Sequence, residues 1–329
     1  MNQTTSSKFS FRGALNILGP FLGLLLVIGI FSSKADVRAA FLTGGNFKII
    51  FTQTVIVAIG ALGMTLIIVS GGIDLSVGSV VALASVVGAR LLAPEHPWST
   101  FGVIAMTISA GALVGLVNGS LIAGARMMPF IVTLGMMGVA RGAAKWLGGN
   151  QTVNYDEKAA INNIMAMDEP YQFFPLPIGV WVAIGLAIIM AVVLRQTVFG
   201  RYVFAIGSNE ATARLCGIRV RMHKILIYTL AGVFFGISGL MQLSRLTQGD
   251  PTVAVGLELD IIAAVVIGGA SLSGGTGSIL GSMIGALIMA VLRNGSNQMG
   301  WQPYMQEIII GTVIVLAVGL DRLRQSKQT

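Results

Sequence analysis

RQTVFGRYVFAIGSNEATARLCGIRVRMHK, running from Arg195 to Lys224, decides how the rest of the chain is laid out. It holds six basic side chains (Arg195, Arg201, Arg214, Arg219, Arg221 and Lys224) and a single acid, Glu210. Apolar segments of membrane-crossing length flank it on both sides. Lys and Arg beside membrane spans are retained on the cytoplasmic face, so this basic island orients everything else. Inside it, AIGSNEATARLCGI reads as one short helix with recognisable ends. Ser208 caps the first amides and Glu210 sets a carboxylate near the positive end of the helix. Gly217 closes it in the left-handed conformation. Ala211 and Leu215 share a face, with Ile218 just beyond. So short a helix is unstable alone and needs a surface to dock on. That surface is either its own protein, with the loop folded back, or a partner.

The chain has 329 residues, of which 54% are hydrophobic and only 10% charged, and its mean hydropathy is +0.83. Soluble domains carry about a quarter charged residues. With apolar runs near twenty residues, the composition specifies an all-α polytopic membrane protein. The alternating ten-residue segments of a membrane β-barrel are absent from the sequence. A net charge of +8 is accounted for by basic residues at cytoplasmic turns, so nucleic acid is not an expected partner. Cys216 is the only cysteine and the two histidines, His96 and His223, show no metal-ligand spacing. Neither a metal nor any other cofactor is expected. The 43 glycines point to closely packed membrane helices.

Taken in order, residues 1–13 form a cytoplasmic tail with Lys8 and Arg12. Ala14–Phe31 imitates a signal peptide but lacks a small-x-small cleavage site, so it reads as a retained first span. Further spans fall at about Phe47–Val69, Leu75–Leu92, Phe101–Gly124, Phe130–Leu147, Ile178–Leu194, Ile225–Leu243, Leu259–Ala270, Ile279–Leu292 and Glu307–Leu320. The external loop 148–177 carries Asp156, Glu157, Asp168 and Glu169, and residues 321–329 form a second cytoplasmic tail. Twelve of the 21 basic residues then lie inside, with Glu210 and Asp321 the only acids expected there. That asymmetry supports about ten spans within a single domain, 14–320, with both termini cytoplasmic.

Two Gly/Ser-broken stretches are candidates for chemistry. SGGIDLSVGS (Ser70–Ser79) places Asp74 at or below the membrane boundary. A charge there faces a cavity or a partner, and two roles fit it: capping the following helix together with Ser76, or lining a polar path. GGASLSGGTGS (Gly268–Ser278), with Ser271 and Ser273, repeats the Gly-Gly-x-x-Leu-Ser pattern and reads as a break inside the membrane. Paired interruptions mark a substrate path in transporters, and glycine packing explains them nearly as well. Asn118 reads as interhelical glue or a path residue. Arg141 and Asp260 either pair across the bundle or serve separately, as a snorkelling side chain and a helix cap. The chain has no GxxxxGK[ST], HExxH, CxxC or GxSxG motif, so an autonomous enzyme is not expected.

IGALGMTLIIVSGGIDLSVGSVVAL, FGRYVFAIGSNEATARLCGIRV and LELDIIAAVVIGGASLSGGTGSILGSMIGALI together resemble the membrane permease of ribose-type bacterial ABC importers, from about Lys48 to Leu320. That family also serves xylose, galactose, arabinose and autoinducer-2. The resemblance implies an importer permease fold in the bacterial inner membrane and a second permease copy or paralogue. It also implies a periplasmic or extracellular sugar-binding protein, and an ABC ATPase that docks on the island. The coupling residues would be Gly207, Ser208, Asn209, Glu210, Ala213, Arg214, Leu215, Gly217 and Ile218, with Leu215 and Ile218 entering a groove in the ATPase. Asp74, Ser76, Asn118, Asp260, Ser271 and Ser273 would line the translocation path. A second class of reading is an ion-coupled secondary transporter with Asp74 and Asp260 as coupling carboxylates; it leaves the basic docking helix unexplained. A membrane scaffold would have no use for interrupted helices in lipid.

Overall fold

The computed structural model describes residues 11–94, 98–168 and 170–326; the expected tail residue Lys8, the turn residue His96, Glu169 and Lys327 lie outside them. The described residues are almost entirely helical: α1 (Phe11–Ser32), α2 (Ala35–Phe41), α3 (Gly44–Val69), α4 (Val77–Leu91), α5 (Thr100–Gly124), α6 (Pro129–Gly148), α7 (Ile178–Gln196), α8 (Val198–Ser208), α9 (Glu210–Leu215), α10 (Val220–Leu246), α11 (Leu257–Ile267), α12 (Ile279–Gln298) and α13 (Pro303–Ser326). Five of these, α3, α5, α7, α10 and α12, are long and apolar enough to cross a membrane. The chain is an all-helical polytopic membrane protein.

α3 is apolar on every side and every residue from Thr54 to Val69 is buried, the pattern of a helix at the centre of a bundle. Its few polar groups bind its neighbours. Thr65 and Ser282 of α12 share a 2.7 Å hydroxyl hydrogen bond, and Ser238 of α10 donates to the Ile56 carbonyl at 2.8 Å. α5 and α10 lie backbone to backbone. A side chain at Gly119 would come within 2.8 Å of the Ile225 Cα, and one at Gly236 within 2.8 Å of the Ile108 Cα. The small residues on these helices are thus interhelical contact. The outward faces of α5 (Leu113, Leu116, Leu121) and α7 (Ile184, Ile188, Ile189, Val192) are exposed and apolar, as lipid-facing surfaces require.

One end of α10 is capped by the loop that follows α6. There β1 (Val153–Asn154) pairs antiparallel with β4 (Gln248–Gly249), and a 3-10 turn (Ala160–Ile164) packs beneath it. The Tyr155 hydroxyl donates to Asn162 Oδ1 at 2.5 Å, and Ser244 donates to the Ile161 carbonyl at 2.7 Å. A second short hairpin, β2 (Gln172–Phe173) and β3 (Leu176–Pro177), leads into α7. The basic island lies at the opposite end of α10, about 40 Å away along a 27-residue helix.

Several boundaries differ from those expected. α10 begins at Val220 rather than Ile225, because the island's last residues are already helical. α12 runs to Gln298 rather than Leu292, so it is not short. The stretch expected outside between the first two spans contains α2, whose Phe41 packs against Phe31 at 5.9 Å between ring centres. α11 is short, with 11 residues, because the chain before it is not helical.

Candidate functional site

The island folds as two helices rather than one. α8 starts at Thr197, whose hydroxyl accepts from the Gly200 amide, and ends at Ser208. The N-cap of α9 is Asn209, not Ser208: its side chain accepts from the Thr212 amide at 2.9 Å. Gly217, at φ +84°, closes α9 as expected. Ile206, Ala213 and Val220 form a small buried cluster with Ile218 packed against it. Ile218 therefore faces its own protein, whereas Leu215 is 88% exposed. Of the two apolar residues expected on the docking face, Leu215 is the fully exposed one and Ile218 is half-buried.

Glu210 ties the assembly together. It accepts from Arg214 at 3.0 Å, one turn along α9, and from Lys224 of α10 at 2.6 Å. The hydrogen bond from Lys224, supported by the charges of Lys224 and Arg214 against partial desolvation, holds its carboxyl below the usual range. Tyr202 and His223 meet edge to face at 4.9 Å, joining α8 to α10. The arrangement is a short helix held on its inner side and presenting Ala211, Arg214 and Leu215 outward.

The C-terminal end of α8 sits on both Gly/Ser stretches at once. The Gly275 amide donates to the Val69 carbonyl at 2.8 Å. A side chain at Gly207 would overlap that carbonyl and lie 2.7 Å from the Gly275 nitrogen. Gly274 approaches Gly71, and Gly275 approaches Ser208, to about 3.0 Å measured from where their side chains would start. Three backbones, 69–71, 207–208 and 274–275, thus touch without side chains between them. The sequence treats these stretches as separate. Gly268–Ser278 is the turn between α11 and α12, lodged at the island end. Within it Ser271 accepts from the Ser273 amide at 3.2 Å, and the Ser271 amide donates to the Thr276 carbonyl at 3.2 Å.

A further non-helical stretch precedes α11. Residues 249–256 run non-helically alongside α4. Gly249 lies against Val86, 3.0 Å from its Cα where a side chain would begin, and the Ala254 carbonyl abuts Gly78. Ala254 and Gly256 both have positive φ, at 62° and 80°. Arg141 of α6 clasps this strand, donating from Nη1 to the Pro251 carbonyl at 2.8 Å and the Val253 carbonyl at 2.7 Å. The possible Arg141–Asp260 pair is therefore not formed. Asp260, buried in the first turn of α11, pairs with Arg293 of α12 at 2.5 Å, and Gly256, not Asp260, is the N-cap of α11. Glu258, which sequence reasoning passed over, lies against Gly78.

Asp74, Ser76 and Asn118 come together, as their burial at 1%, 0% and 0% requires of polar groups. Asp74 Oδ1 accepts from the Ser76 amide at 2.7 Å and its hydroxyl at 2.6 Å. Asn118 of α5 donates to Asp74 Oδ2 at 3.3 Å and to the Ser76 hydroxyl at 3.1 Å. Ser76 is the residue preceding α4, so Asp74 organises the turn into that helix and bonds across to α5. Asn118 Oδ1 and the buried Tyr228 hydroxyl, which abuts Gly72, have no partner among the described protein groups. Tyr228 was not expected at this site; its apolar helical setting hides it. Asp260 pairs with Arg293 instead, and Ser271 accepts from the Ser273 amide within the turn after α11.

Among the described residues no cluster of His, Cys, Asp and Glu is suited to a metal. Comparison with known proteins gives a consistent picture. A family profile described as "Branched-chain amino acid transport system / permease component" matches residues 46–318. The ribose import permease protein RbsC of Escherichia coli (strain K12) is 39% identical over 98% of this chain and 99% of its own. The L-arabinose ABC transporter permease protein AraH of Azospirillum brasilense is 34% identical over 93% and 88%. The fructose import permease protein FrcC of Rhizobium meliloti is 33% identical over 91% and 84%. No solved structure matches.

Proposed function

Because this chain belongs to the branched-chain amino acid transport system / permease component family, we propose that it is the inner-membrane permease subunit of an ATP-driven importer of a monosaccharide, ribose or a relative. It is a transport subunit and not an enzyme. ATP is hydrolysed by a separate ABC ATPase that docks on α9, and a periplasmic or extracellular sugar-binding protein delivers cargo at the far end of α10. A second copy or paralogue completes the path. The chain crosses the membrane ten times with both termini and the island in the cytoplasm.

The observation that supports this reading is the exposure of Leu215 at 88% on a helix otherwise anchored to its own protein. An isolated loop helix gains nothing from an exposed leucine beside a salt bridge, whereas an apolar anchor ringed by charge is what a protein groove accepts. The junction of Gly207 with residues 69–71 and 274–275 supplies a mechanical path. Displacement of α8 and α9 is passed directly to α3, to the turn carrying Asp74 and to the link between α11 and α12. Backbones in contact leave no side-chain layer to absorb the shift. Asp74, Ser76 and Asn118 would then loosen or tighten as the turn moves, opening a polar route along α4 and α5.

Cys216, exposed and beside Leu215, provides the test. In native membranes, a short thiol-to-amine crosslinker on Cys216 should capture an ABC-type ATPase. Uptake should require that ATPase and survive collapse of the proton gradient at constant ATP. Capture of the permease alone by an accessible Cys216, or uptake that persists without the ATPase, would reject the proposal.

A further inference from the structure

A groove of about 620 Å³ opens between α5 and the first turns of α10, lined by Leu116, Arg219, Arg221, Met222, Ile225, Leu226 and Thr229. Arg219 and Arg221 stand at its island end, and the remaining residues extend away from them into the apolar part of the bundle. The island's one acid is already engaged with Arg214 and Lys224. Neither Arg219 nor Arg221 forms an ion pair among the described residues. Arg221 lies against the C-terminal end of α5, its Nη2 3.3 Å from where a Gly124 side chain would begin. The lining is almost wholly apolar, the two arginines contributing their carbon stems, and the walls are open: Met222 is 58% exposed, Leu116 42% and Leu226 40%. The Thr229 hydroxyl is turned back onto the Ile225 carbonyl at 2.8 Å and offers the groove no hydrogen.

We propose that this groove is a binding site for an anionic phospholipid of the cytoplasmic leaflet. The phosphate lies between the Arg219 and Arg221 guanidinium groups and one acyl chain lies along Leu116, Met222 and Leu226. Charge complementarity selects the occupant: two unpaired guanidinium groups at the membrane surface above an apolar trough between spans match a phosphate above a hydrocarbon tail. An aqueous partner such as an ATPase can reach the arginines but not the length of α10 from Met222 to Thr229, which runs roughly 10 Å along the outer face towards the hydrocarbon. A volume of this size falls within the range of sites for small amphipathic ligands. Such a lipid would brace the junction between α9 and α10 and so set the position of the docking helix. The inference rests on the orientation proposed above, with the island in the cytoplasm.

The test is native mass spectrometry of the purified full-length protein, released from detergent in the presence of phosphatidylglycerol or phosphatidylcholine. The wild type should retain phosphatidylglycerol in preference. The Arg219→Gln/Arg221→Gln double variant should lose affinity for it roughly 30-fold, from two basic contacts. Arg195→Gln/Arg201→Gln, which removes two island charges outside the groove, should retain it. Leu226→Trp, which fills the trough and keeps both arginines, should also lose it. Equal retention of the two lipids, or retention of phosphatidylglycerol by either groove variant, would overturn the proposal. So would a double variant that binds lipid normally but no longer binds the ATPase, since the arginines would then belong to a protein interface. Orientation is read separately, by labelling Cys216 with a membrane-impermeant thiol reagent. Labelling from outside the cell would reject the orientation, whatever the lipid result.

Discussion

Gly207→Ala is the most informative single change, because the site tolerates no side chain and the neighbours are all backbone. The added methyl would overlap the Val69 carbonyl and lie 2.7 Å from the Gly275 nitrogen and 2.8 Å from the Val69 carbonyl carbon. Ordinary contact needs at least about 3.4 Å, so α8 must move well over 1 Å from the Val69 carbonyl and about 0.7 Å from the Gly275 nitrogen. Separation also breaks the 2.8 Å hydrogen bond from the Gly275 amide to Val69. Overpacking costs about 1–3 kcal/mol and the lost hydrogen bond about 1 kcal/mol, so the variant should lose roughly 2–4 kcal/mol. Its thermal midpoint in detergent should fall by about 5 °C or more. Gly29→Ala, on an exposed helical position with nothing within 4 Å, is the matched control and should be neutral or slightly stabilised. ATP-driven uptake per inserted molecule should collapse in Gly207→Ala and persist in the control. A variant with wild-type midpoint and uptake would refute the junction outright. A lowered midpoint with full uptake per folded molecule would reduce the junction to packing and remove it from the coupling path.

Glu210→Lys replaces an acid that serves two cations by a third cation, and should uncouple ATP hydrolysis from uptake, as should Gly217→Pro; normal coupling in both would show that α9 is not the docking helix. Because Glu210 is partly exposed, each of its pairs contributes only about 0.5 kcal/mol. Its folded carboxyl titrates below its ordinary value of 4.5, so these contacts are intact above that pH and are lost as pH falls below it. ATPase stimulation in detergent should accordingly be flat across neutral pH as far as this group is concerned, and Glu210→Gln should abolish any acid-side step it contributes. Asp74→Ala strips a buried carboxylate from the Ser76 amide, the Ser76 hydroxyl and Asn118, and should cost on the order of 3 kcal/mol or more. Uptake per inserted molecule should drop further than insertion; a fall in insertion alone would make Asp74 purely structural. Arg293→Met leaves Asp260 buried without its partner and should destabilise by about 3–5 kcal/mol, whereas Asp260→Asn combined with Arg293→Gln should recover part of that loss in the thermal midpoint.

What could be read along the chain was whatever depends on a residue and its near neighbours. The basic island, its short closing turn at Gly217 and the buried trio of Asp74, Ser76 and Asn118 all carry local signals. Those signals are charge excess, a helix-closing glycine, and polar residues inside apolar runs. The cap of α9 was missed by one residue because Ser208 and Asn209 are adjacent and both able to cap; only the length of α8 selects between them. Ile218, expected on the docking face, packs half-buried against Ile206, Ala213 and Val220, because helical spacing defines a face but not its direction. Tyr228, Glu258 and the Gly207 contact escaped for the same reason: each matters through a segment remote in sequence. The Arg141–Asp260 pair failed because opposite charges on two spans meet only if both helices are rotated towards each other.

By itself, then, the sequence determined that this is a helical membrane protein and where its apolar stretches lie. It also located the basic island and a short helix within it that is closed at Gly217. Hydropathy and charge are properties of individual residues, and the bilayer sorts them without reference to distant parts of the chain. The tertiary structure alone decided that residues 69–71, 207–208 and 274–275 meet backbone to backbone. It alone decided that the chain is non-helical before α11 as well as after it, and that two island arginines line an apolar groove with no ion pair among the described residues. These outcomes depend on the rotational phase and depth at which separate helices pack. That phase is set by the sum of many weak contacts across the bundle and leaves no mark in any single stretch of sequence.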